Sequence, residues 1–501
     1  MTYVDYKQLS PFQKFAYNFK KFITSVPGAI GRFFKSLGLA IVNFFVGIGK
    51  GFKNYGVTFV KGDWATKLSY VIFGAGDLHK GKYYKGILYF LVEALYILFM
   101  IFFGGQYIYK FPTLGTQGKI VEYDDFGFET VIDQGDNSML ILLYATLTIV
   151  VSIVVFAVYI SNIKDAYRHQ VMRANGETPT SLKHDAKEFL DGKYHITLLS
   201  FPVLMIGIFN ILPLIFMILI AFTNYMGQGE TAILFDWVGM KNFGNLLNVV
   251  DSAKKASTFF GIAGWTLIWA VAATFSNYIL GMVVALMINK KGIKLKSVFR
   301  TMFVITVAVP QFVSLLLLSQ MLTEEGAFNI LLSHFNGGVN PGIDFLAGDP
   351  LTARLVVIIV NCWVGIPYTI LSMSGILMNI PEDLYESARI DGASPFKTFT
   401  KITLPYMIFV TTPQLITQFV GNINNFNVIF LLTGGKPTNP DYHNAGYTDI
   451  LVTWLYNLSM GEQKDYGLAS AIGILVFIIC ATLSLIIYNN SKSMKDEEAF
   501  S

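Results

Sequence analysis

Eight apolar runs long enough to cross a membrane punctuate this chain, at roughly 86–104, 139–160, 198–222, 259–288, 299–322, 352–376, 406–432 and 466–489. A spanning helix needs about 20 mostly apolar residues. Inside lipid, a helix or a closed barrel is the one way to pair every backbone polar group. The pattern therefore predicts an all-α polytopic membrane protein with about eight transmembrane helices. Composition agrees: of 501 residues, 53% are hydrophobic and 14% charged, where soluble chains carry about 25% charged residues. Mean hydropathy is +0.52. A water-soluble fold of this size would lack the polar surface to stay dispersed, which excludes a soluble enzyme and a nucleic-acid binder. The run 37–48 (LGLAIVNFFVGI) is too short to span and sits among Lys20, Lys21, Arg32, Lys35, Lys50 and Lys53. It reads as an amphipathic helix on the membrane surface, with a ninth span as the alternative. Met1–Lys21 has no apolar core of the secretory kind, so no signal peptide is expected.

Net charge is only +4, but its distribution orients the spans. Residues 1–85 carry thirteen Lys/Arg against three Asp/Glu, 161–197 carry six Lys/Arg, and 289–300 carry five with no acid. The alternate connections reverse this: 105–138 hold two Lys against six acids, 323–351 none against four, and 433–465 two against four. By the positive-inside rule every second connection is cytoplasmic and both termini lie inside. The sixth connection, 377–405, is the weak vote, with three positives and four acids. The expected organisation is a basic amphipathic extension, 1–85, at the cytoplasmic membrane surface, then two spans and their cytoplasmic loop, 86–197. A six-span core, 198–489, and a cytoplasmic tail, 490–501, complete a multi-pass protein of the cell membrane. In the extension, basic residues interleave with Phe12, Phe15, Tyr17, Phe19, Phe22, Phe33 and Phe34, so attachment to anionic membrane lipid is expected.

Chemistry-bearing constellations are sparse. Cys362 and Cys480 lie inside apolar runs, which excludes a disulfide framework and a cysteine metal site. The stretch from Gly76 to Lys82 resembles a phosphate loop, but Tyr83 stands where a Ser or Thr should reach Mg²⁺, and the stretch reads better as a basic turn. The six histidines show no pair at metal-ligand helix spacing. No metal, no cofactor and no catalytic residue is expected. Glu93 is the one conspicuous acid within a span; a single carboxylate makes a poor proton relay, and it is read as protonated or paired within the bundle.

The sixth connection is the most informative stretch. Pro381 suits a first helical position, Glu382 and Asp383 complement the positive end of the helix dipole, and Gly392 stands where a left-handed cap belongs. Ser394-Pro395 can start a second helix, and Pro405 marks entry to the seventh span. Leu384, Ala388 and Ile390 share this short helix with Glu386 and Arg389, an arrangement that calls for a partner groove. The segment Glu386-Ser387-Ala388, then Asp391-Gly392-Ala393, followed by Phe399, Ile402, Leu404 and Pro405, resembles the cytoplasmic motif of binding-protein-dependent ABC importer permeases. The family motif usually opens Glu-Ala-Ala, and Ser387 is a small-for-small change. The resemblance implies a type I ABC importer permease fold. It also implies that the loop is a coupling helix that docks on an ATPase subunit, through Glu386, Ser387, Ala388, Asp391 and Gly392.

A narrower resemblance covers about 300 residues, from the third span onward. Residues 236–243 (DWVGMKNF), 361–368 (NCWVGIPY), 422–426 (NINNF), 431–435 (LLTGG) and 446–449 (GYTD) look like the larger, MalF-type membrane subunit of maltose/maltodextrin importers. Enteric members carry a large folded insert between the third and fourth spans, whereas here that connection is only residues 223–258. The resemblance implies no enzymatic activity in this subunit. It implies as partners a second, smaller permease, two ATPase subunits and an extracellular solute-binding protein, with an oligosaccharide as cargo.

The sixth and seventh spans also carry polar faces. At 100° per residue, Asn361, Gly365, Tyr368 and Ser372 fall within an arc of roughly 60°, and Thr411, Gln414, Gln418, Asn422 and Asn425 within roughly 80°. From the residues alone these arcs are either interhelical hydrogen-bonding positions, at about 0.6 kcal/mol each, or the wall of a cavity for a neutral, hydroxyl-rich solute. The family resemblance implies the second: the positions of Asn361, Val364, Gly365, Tyr368, Gln418, Gly421, Asn422 and Asn425 line the sugar site there. Gly421 replaces a bulkier aromatic, Gln418 a hydroxyl, and Val307 a sugar-contacting Tyr. The cargo is expected to be maltose or maltooligosaccharides, with a raffinose-type sugar or another glucan as the alternative. An ion-coupled secondary transporter would need an ionisable relay and no docking loop, and a membrane-embedded enzyme would need convergent acid, His and nucleophile.

Overall fold

The structure, a computed structural model, describes residues 53–123, 126, 129–177, 182–248, 253–290, 292–462 and 464–490, with isolated positions between 28 and 51. The aromatic-basic stretch before residue 28 and the tail after Asn490 lie outside the described residues. Of the run 37–48, the described positions are helical and exposed. Among the described residues, seven helical stretches are long and apolar enough to cross a membrane, and a bent pair makes an eighth when counted as one span. They are Tyr83–Lys110 (α1), Ser138–Ala174 (α2), Tyr194–Ile220 (α3), Ala253–Asn289 (α4), Pro350–Met378 (α7), Pro395–Leu432 and Tyr466–Tyr488. The eighth is Lys296–Ala308 (α5) plus Gln311–Met321 (α6). The expected fifth span is thus two helices at 84°. Pro310 at the break has no N–H to donate, and the preceding Val309 is extended, with ψ 123°.

The described residues divide into two compact units, one built mainly from residues 34–242 and one mainly from 243–464 and 471–490. In the first, α2 has 37 residues, about 55 Å at 1.5 Å per residue against about 30 Å of hydrocarbon. Its last turns therefore project beyond the lipid, and residues 63–85 pack on them. Lys80 Nζ donates to Thr66 Oγ1 at 2.6 Å, to the carbonyl of Ala166 at 2.9 Å and to Asp63 Oδ1 at 3.3 Å. Burial draws the Lys80 ammonium below its usual range, with Asp63 opposing that shift. At Asp63, burial works upward but is outweighed by bonds from Thr66 and Lys80, which leave the carboxyl low. Lys82 pairs with Asp185 at 2.7 Å, and His169 Nδ1 lies 2.6 Å from Asp77 Oδ1.

The phosphate-loop likeness at Gly76–Lys82 is thereby explained as packing, and the expected basic surface turn is corrected. Lys80 and Lys82 are buried because each has a carboxylate partner. A Cβ at Gly76 would sit 2.7 Å from the Ala166 side chain, and Gly81 adopts φ +86°. Glu93 is paired within the same unit, its Oε2 accepting the N–H of Phe73 at 2.9 Å. Beyond α1 a short hairpin, β1 Ile120–Tyr123 with β2 Glu129–Asp133, is the one sheet among the described residues.

In the second unit α4 and α7 are in close contact. A Cβ at Gly281 would fall 2.5 Å from Thr369 Cγ2 and 2.6 Å from its Cβ, and one at Gly365 would fall 2.2 Å from Asn277 Nδ2. Lipid supplies no hydrophobic drive between helices, so close approach at small residues is what holds them. Trp265, Trp269, Val357, Val360, Val428 and Ile429 pack as one buried cluster around this contact. Gly281→Ala should destabilise the purified protein by about 1–3 kcal/mol, because Thr369 Cβ is fixed to its backbone. The swapped pair Gly281→Ala/Thr369→Gly should recover part of that loss; thermal melting in detergent checks both.

Candidate functional site

The sixth connection is built as its sequence suggests, with one adjustment. Glu382–Ile390 (α8) is helical, with Glu382 and Asp383 in its first turn, Arg389 in its last, and Pro381 at the cap instead of the first helical position. Gly392 takes φ +69°. The N–H of Ala393 donates to the carbonyl of Ala388 at 2.9 Å, and that of Gly392 to Arg389 at 3.1 Å. This is a Schellman turn, which needs a residue free to adopt positive φ. Ser394 accepts from the N–H of Lys397 and opens the next helix. Tyr385 OH lies 3.0 Å from Thr403 Oγ1, tying α8 to the base of the following helix.

Exposure sorts the carried-over residues. Glu386, Ser387, Asp391 and Gly392 are exposed, whereas Ala388 is buried against its own chain. Ile390 is 87% exposed and Phe396 75%. Both are large apolar side chains standing out of a polar loop. Phe396, the aromatic directly after the helix-starting Ser394-Pro395, is not among the residues that the resemblance implies.

The helix that begins at Pro395 runs through a π turn at Phe399–Thr403 into Leu404–Ile423 (α9) and breaks at Asn424, before Phe426–Leu432 (α10). Its polar arc meets that of α7 at two levels: Ser372 Oγ donates to Gln414 Oε1 at 2.6 Å, and Asn425 Nδ2 approaches Asn361 Oδ1 at 3.4 Å. Asn425 Nδ2 also lies 3.4 Å from Asn422 Oδ1. Asn422 Nδ2 donates to Thr274 Oγ1 at 2.9 Å, and the indole of Trp269 donates to the Asn422 carbonyl at 3.0 Å. Asn425 further caps α10, its Oδ1 accepting the N–H of Val428.

Asn361, Asn422 and Asn425 thus form one amide cluster. Gly365 lies one turn along α7, closed over by Asn277. Val364 packs partly against the apolar core, Gln418 is half-buried, and Gly421 and Tyr368 are exposed, Tyr368 at 52%. Among the described residues, Asn361 Nδ2 and Asn277 Oδ1 are buried without a partner, one donor and one acceptor. Unpaired buried polar atoms are costly and call for a hydroxyl or a water. Helix α4 joins the site without having been expected to; its trace in the sequence is Thr274, Asn277 and Tyr278 at helical i, i+3, i+4 spacing. Tyr278 OH lies 2.8 Å from Thr411 Oγ1, so Thr411 is committed to α4.

The segment 431–449 is architecture around this cluster. Arg354 stacks on the Trp265 ring at 4.4 Å and donates to the Tyr447 carbonyl at 2.9 Å. Gly446 presses on Gly435, where a Cβ would meet the carbonyl oxygen at 2.0 Å. Asp449 Oδ2 accepts the N–H of Gly446 at 2.8 Å. Burial pushes Asp449 up to about 6 from 3.8, against the pull of bonds from Gly446, Thr453 and Asn457. A raised carboxyl stabilises the fold fully below its ordinary value and loses that contribution as pH rises through about 6. Between pH 4 and 6.5 the wild-type protein should therefore lose about 2 kcal/mol relative to Asp449→Asn, read as a pH-dependent difference in melting temperature.

Residues 277–496 match the family described as the inner membrane component of binding-protein-dependent transport systems. The galactooligosaccharides permease protein GanP of Bacillus subtilis is 34% identical over 431 residues, 85% of this chain and 97% of that protein. The maltodextrin permease protein MdxF of the same organism is 32% identical over 85% of this chain and 95% of its own length. The maltose/maltodextrin permease protein MalF of Salmonella typhimurium is 38% identical over 257 residues, 50% of this chain and 48% of that one. In fold, a bacterial ABC transporter that imports the polysaccharide alginate is similar, with TM-score 0.50 and 22% identity over 62% of this chain and 98% of that one. An exposed helix–turn–helix loop, an amide cluster between long apolar helices and relatives matched along nearly their whole length agree: the chain belongs to the inner membrane components of binding-protein-dependent transport systems.

Proposed function

We propose that the chain is the larger permease subunit of an ABC importer for maltose and maltooligosaccharides, delivered by an extracellular binding protein and moved by alternating access. As a member of its family it is a non-catalytic, multi-pass membrane component; ATP hydrolysis falls to two partner ATPase subunits, and a second, smaller permease completes the path. The observation that carries the reading is the continuity between loop and cluster. Glu382–Ile390 is tied through Tyr385 to Thr403, in the π turn of a helix that continues to Ile423, carries Asn422 and ends just before Asn425. A push on the exposed Glu386, Ile390 and Asp391 surface is transmitted along that helix to the amides. There it works against single hydrogen bonds at Asn425, Asn422 and Trp269, each a small barrier.

The chemistry of the cluster supports a neutral polyol as cargo. Asn361, Gln418, Asn422 and Asn425 offer amide donors and acceptors, Tyr368 an aromatic face and Gly421 room, with Val364 and Gly365 packed behind them; none carries a charge. Asn277 joins this set through its unpaired Oδ1. A second reading, galactooligosaccharides, is favoured by the similarity to GanP. Uptake of labelled maltotriose and of a labelled galactooligosaccharide by cells carrying the whole importer separates the two.

Two expected outcomes follow from the site and the loop. Asn425→Ser keeps an oxygen for the α10 cap but loses the amide's reach, so uptake per assembled complex should fall about tenfold, the loss of one or two hydrogen bonds. Equal uptake per complex would assign the cluster to packing. Glu386→Lys reverses a charge on an exposed site, and Gly392→Pro forbids the observed φ of +69°. Both should abolish sugar-stimulated ATP hydrolysis while the chain still inserts in the membrane. Unchanged stimulation with retained co-purification of the ATPase would reject the loop as the coupling element.

A further inference from the structure

Two clefts in the unit of residues 34–242 meet at Phe156 and Tyr159. One, of about 610 Å³, lies between α1 and α2 along Tyr96, Met100, Ile149 and Ile153. Its polar wall atoms are satisfied: Tyr96 OH donates to Ser152 Oγ at 2.9 Å, which donates to the Thr148 carbonyl at 2.7 Å. Tyr159 OH is held by Tyr55 OH at 2.6 Å. What remains is an apolar trough on the faces of two spans, where the surrounding solvent is alkyl chain. The other cleft, of about 420 Å³, lies where α2 leaves the membrane, and its lining includes Asn54, Tyr55, Thr58 and Lys164.

Lys164 differs from the lysines around it. Lys80, Lys82 and Lys85 each face a carboxylate of the same unit. The acid next to Lys164, Asp165, is already taken by Lys85 and by Tyr89 OH. Lys164 is exposed at the cleft. An apolar trough that continues into a polar mouth with one exposed ammonium is the outline of a lipid, tail in the first part and headgroup in the second. The mouth opens on the side that the Lys/Arg distribution assigns to the cytoplasm, where anionic lipids concentrate.

We propose that the joined clefts hold one anionic phospholipid of the cytoplasmic leaflet, an acyl chain along Ile149 and Ile153 and its phosphate on Lys164, with Asn54 and Thr58 at the headgroup. Other occupants, a helix of the partner permease or a segment of this chain before residue 28, would exclude lipid from the trough.

The test is native mass spectrometry of the assembled complex with phosphatidylglycerol and phosphatidylcholine of matched chains. The wild type should retain one phosphatidylglycerol in preference to phosphatidylcholine. Lys164→Glu should lower the phosphatidylglycerol adduct at least fivefold and leave phosphatidylcholine little changed, whereas Lys187→Glu, on an exposed cytoplasmic helix, should alter neither. Ile153→Trp should lower both lipids by filling the trough, which surface charge attraction alone would not do. If it impairs assembly, Ile149→Phe gives the same readout with a smaller filler. Absence of a retained lipid in the wild type, a Lys164→Glu effect no larger than that of Lys187→Glu, or full retention with the trough filled would each overturn the assignment.

Discussion

The approach of α4 to α7 is the contact on which the second unit depends. Burial from water drives no helix pairing inside a bilayer, so van der Waals contact and a few hydrogen bonds must do it. Gly281 against Thr369 and Gly365 against Asn277 bring the two backbones close enough for that. With the pair set, Trp269 reaches the Asn422 carbonyl, Tyr278 meets Thr411, and Trp265 lies under Arg354. The amide cluster is a consequence of this contact, because α9 is held against α4 by the same residues that leave Asn425 facing Asn361.

The polar residues of the spans serve two purposes at once. Ser372, Gln414, Thr411 and Asn422 are spent on neighbouring helices. Tyr368 and Gln418 have accessible surface, and Asn361 Nδ2 and Asn277 Oδ1 have unused bonding capacity. At the proposed site, these two sets of groups would link cargo binding to conformation. Hydrogen bonds that hold the helices in one arrangement compete with those a sugar hydroxyl would make, and each is weak enough to exchange.

In the unit of residues 34–242 the organising fact is the length of α2. A helix that outruns the bilayer leaves a polar end in water, and residues 63–85 cover it with paired charges. Leaving one such ammonium buried and alone would cost several kcal/mol. The basic count of this segment therefore overstates the charge it presents, which is why Lys164, exposed at a cleft, stands apart.

The apolar spans, the helix–turn–helix of the sixth connection and its left-handed glycine were legible in the sequence because each rests on local physics. A run of apolar residues must be helical in lipid, and Gly392 stands where a helix with charge-matched ends has to turn. The polar arcs were legible as arcs over 361–372 and 411–422, since 100° per residue places them without a partner; Asn425, counted on the second arc, lies past the break at Asn424 and caps the next helix. The meaning of the arcs was not legible, because whether an amide faces a helix or a cavity depends on which neighbour arrives. Only the tertiary structure decided that Asn422 bonds to Thr274, that Asn277 covers Gly365, and that Ala388 faces its own chain while Ile390 stands free. The same holds for Lys80 and Lys82: composition counts charges, but their carboxylate partners, Asp63 and Asp185, lie 17 and 103 residues away in the sequence. Pairing at that distance is set by the packing of the chain on α2, which no local pattern encodes.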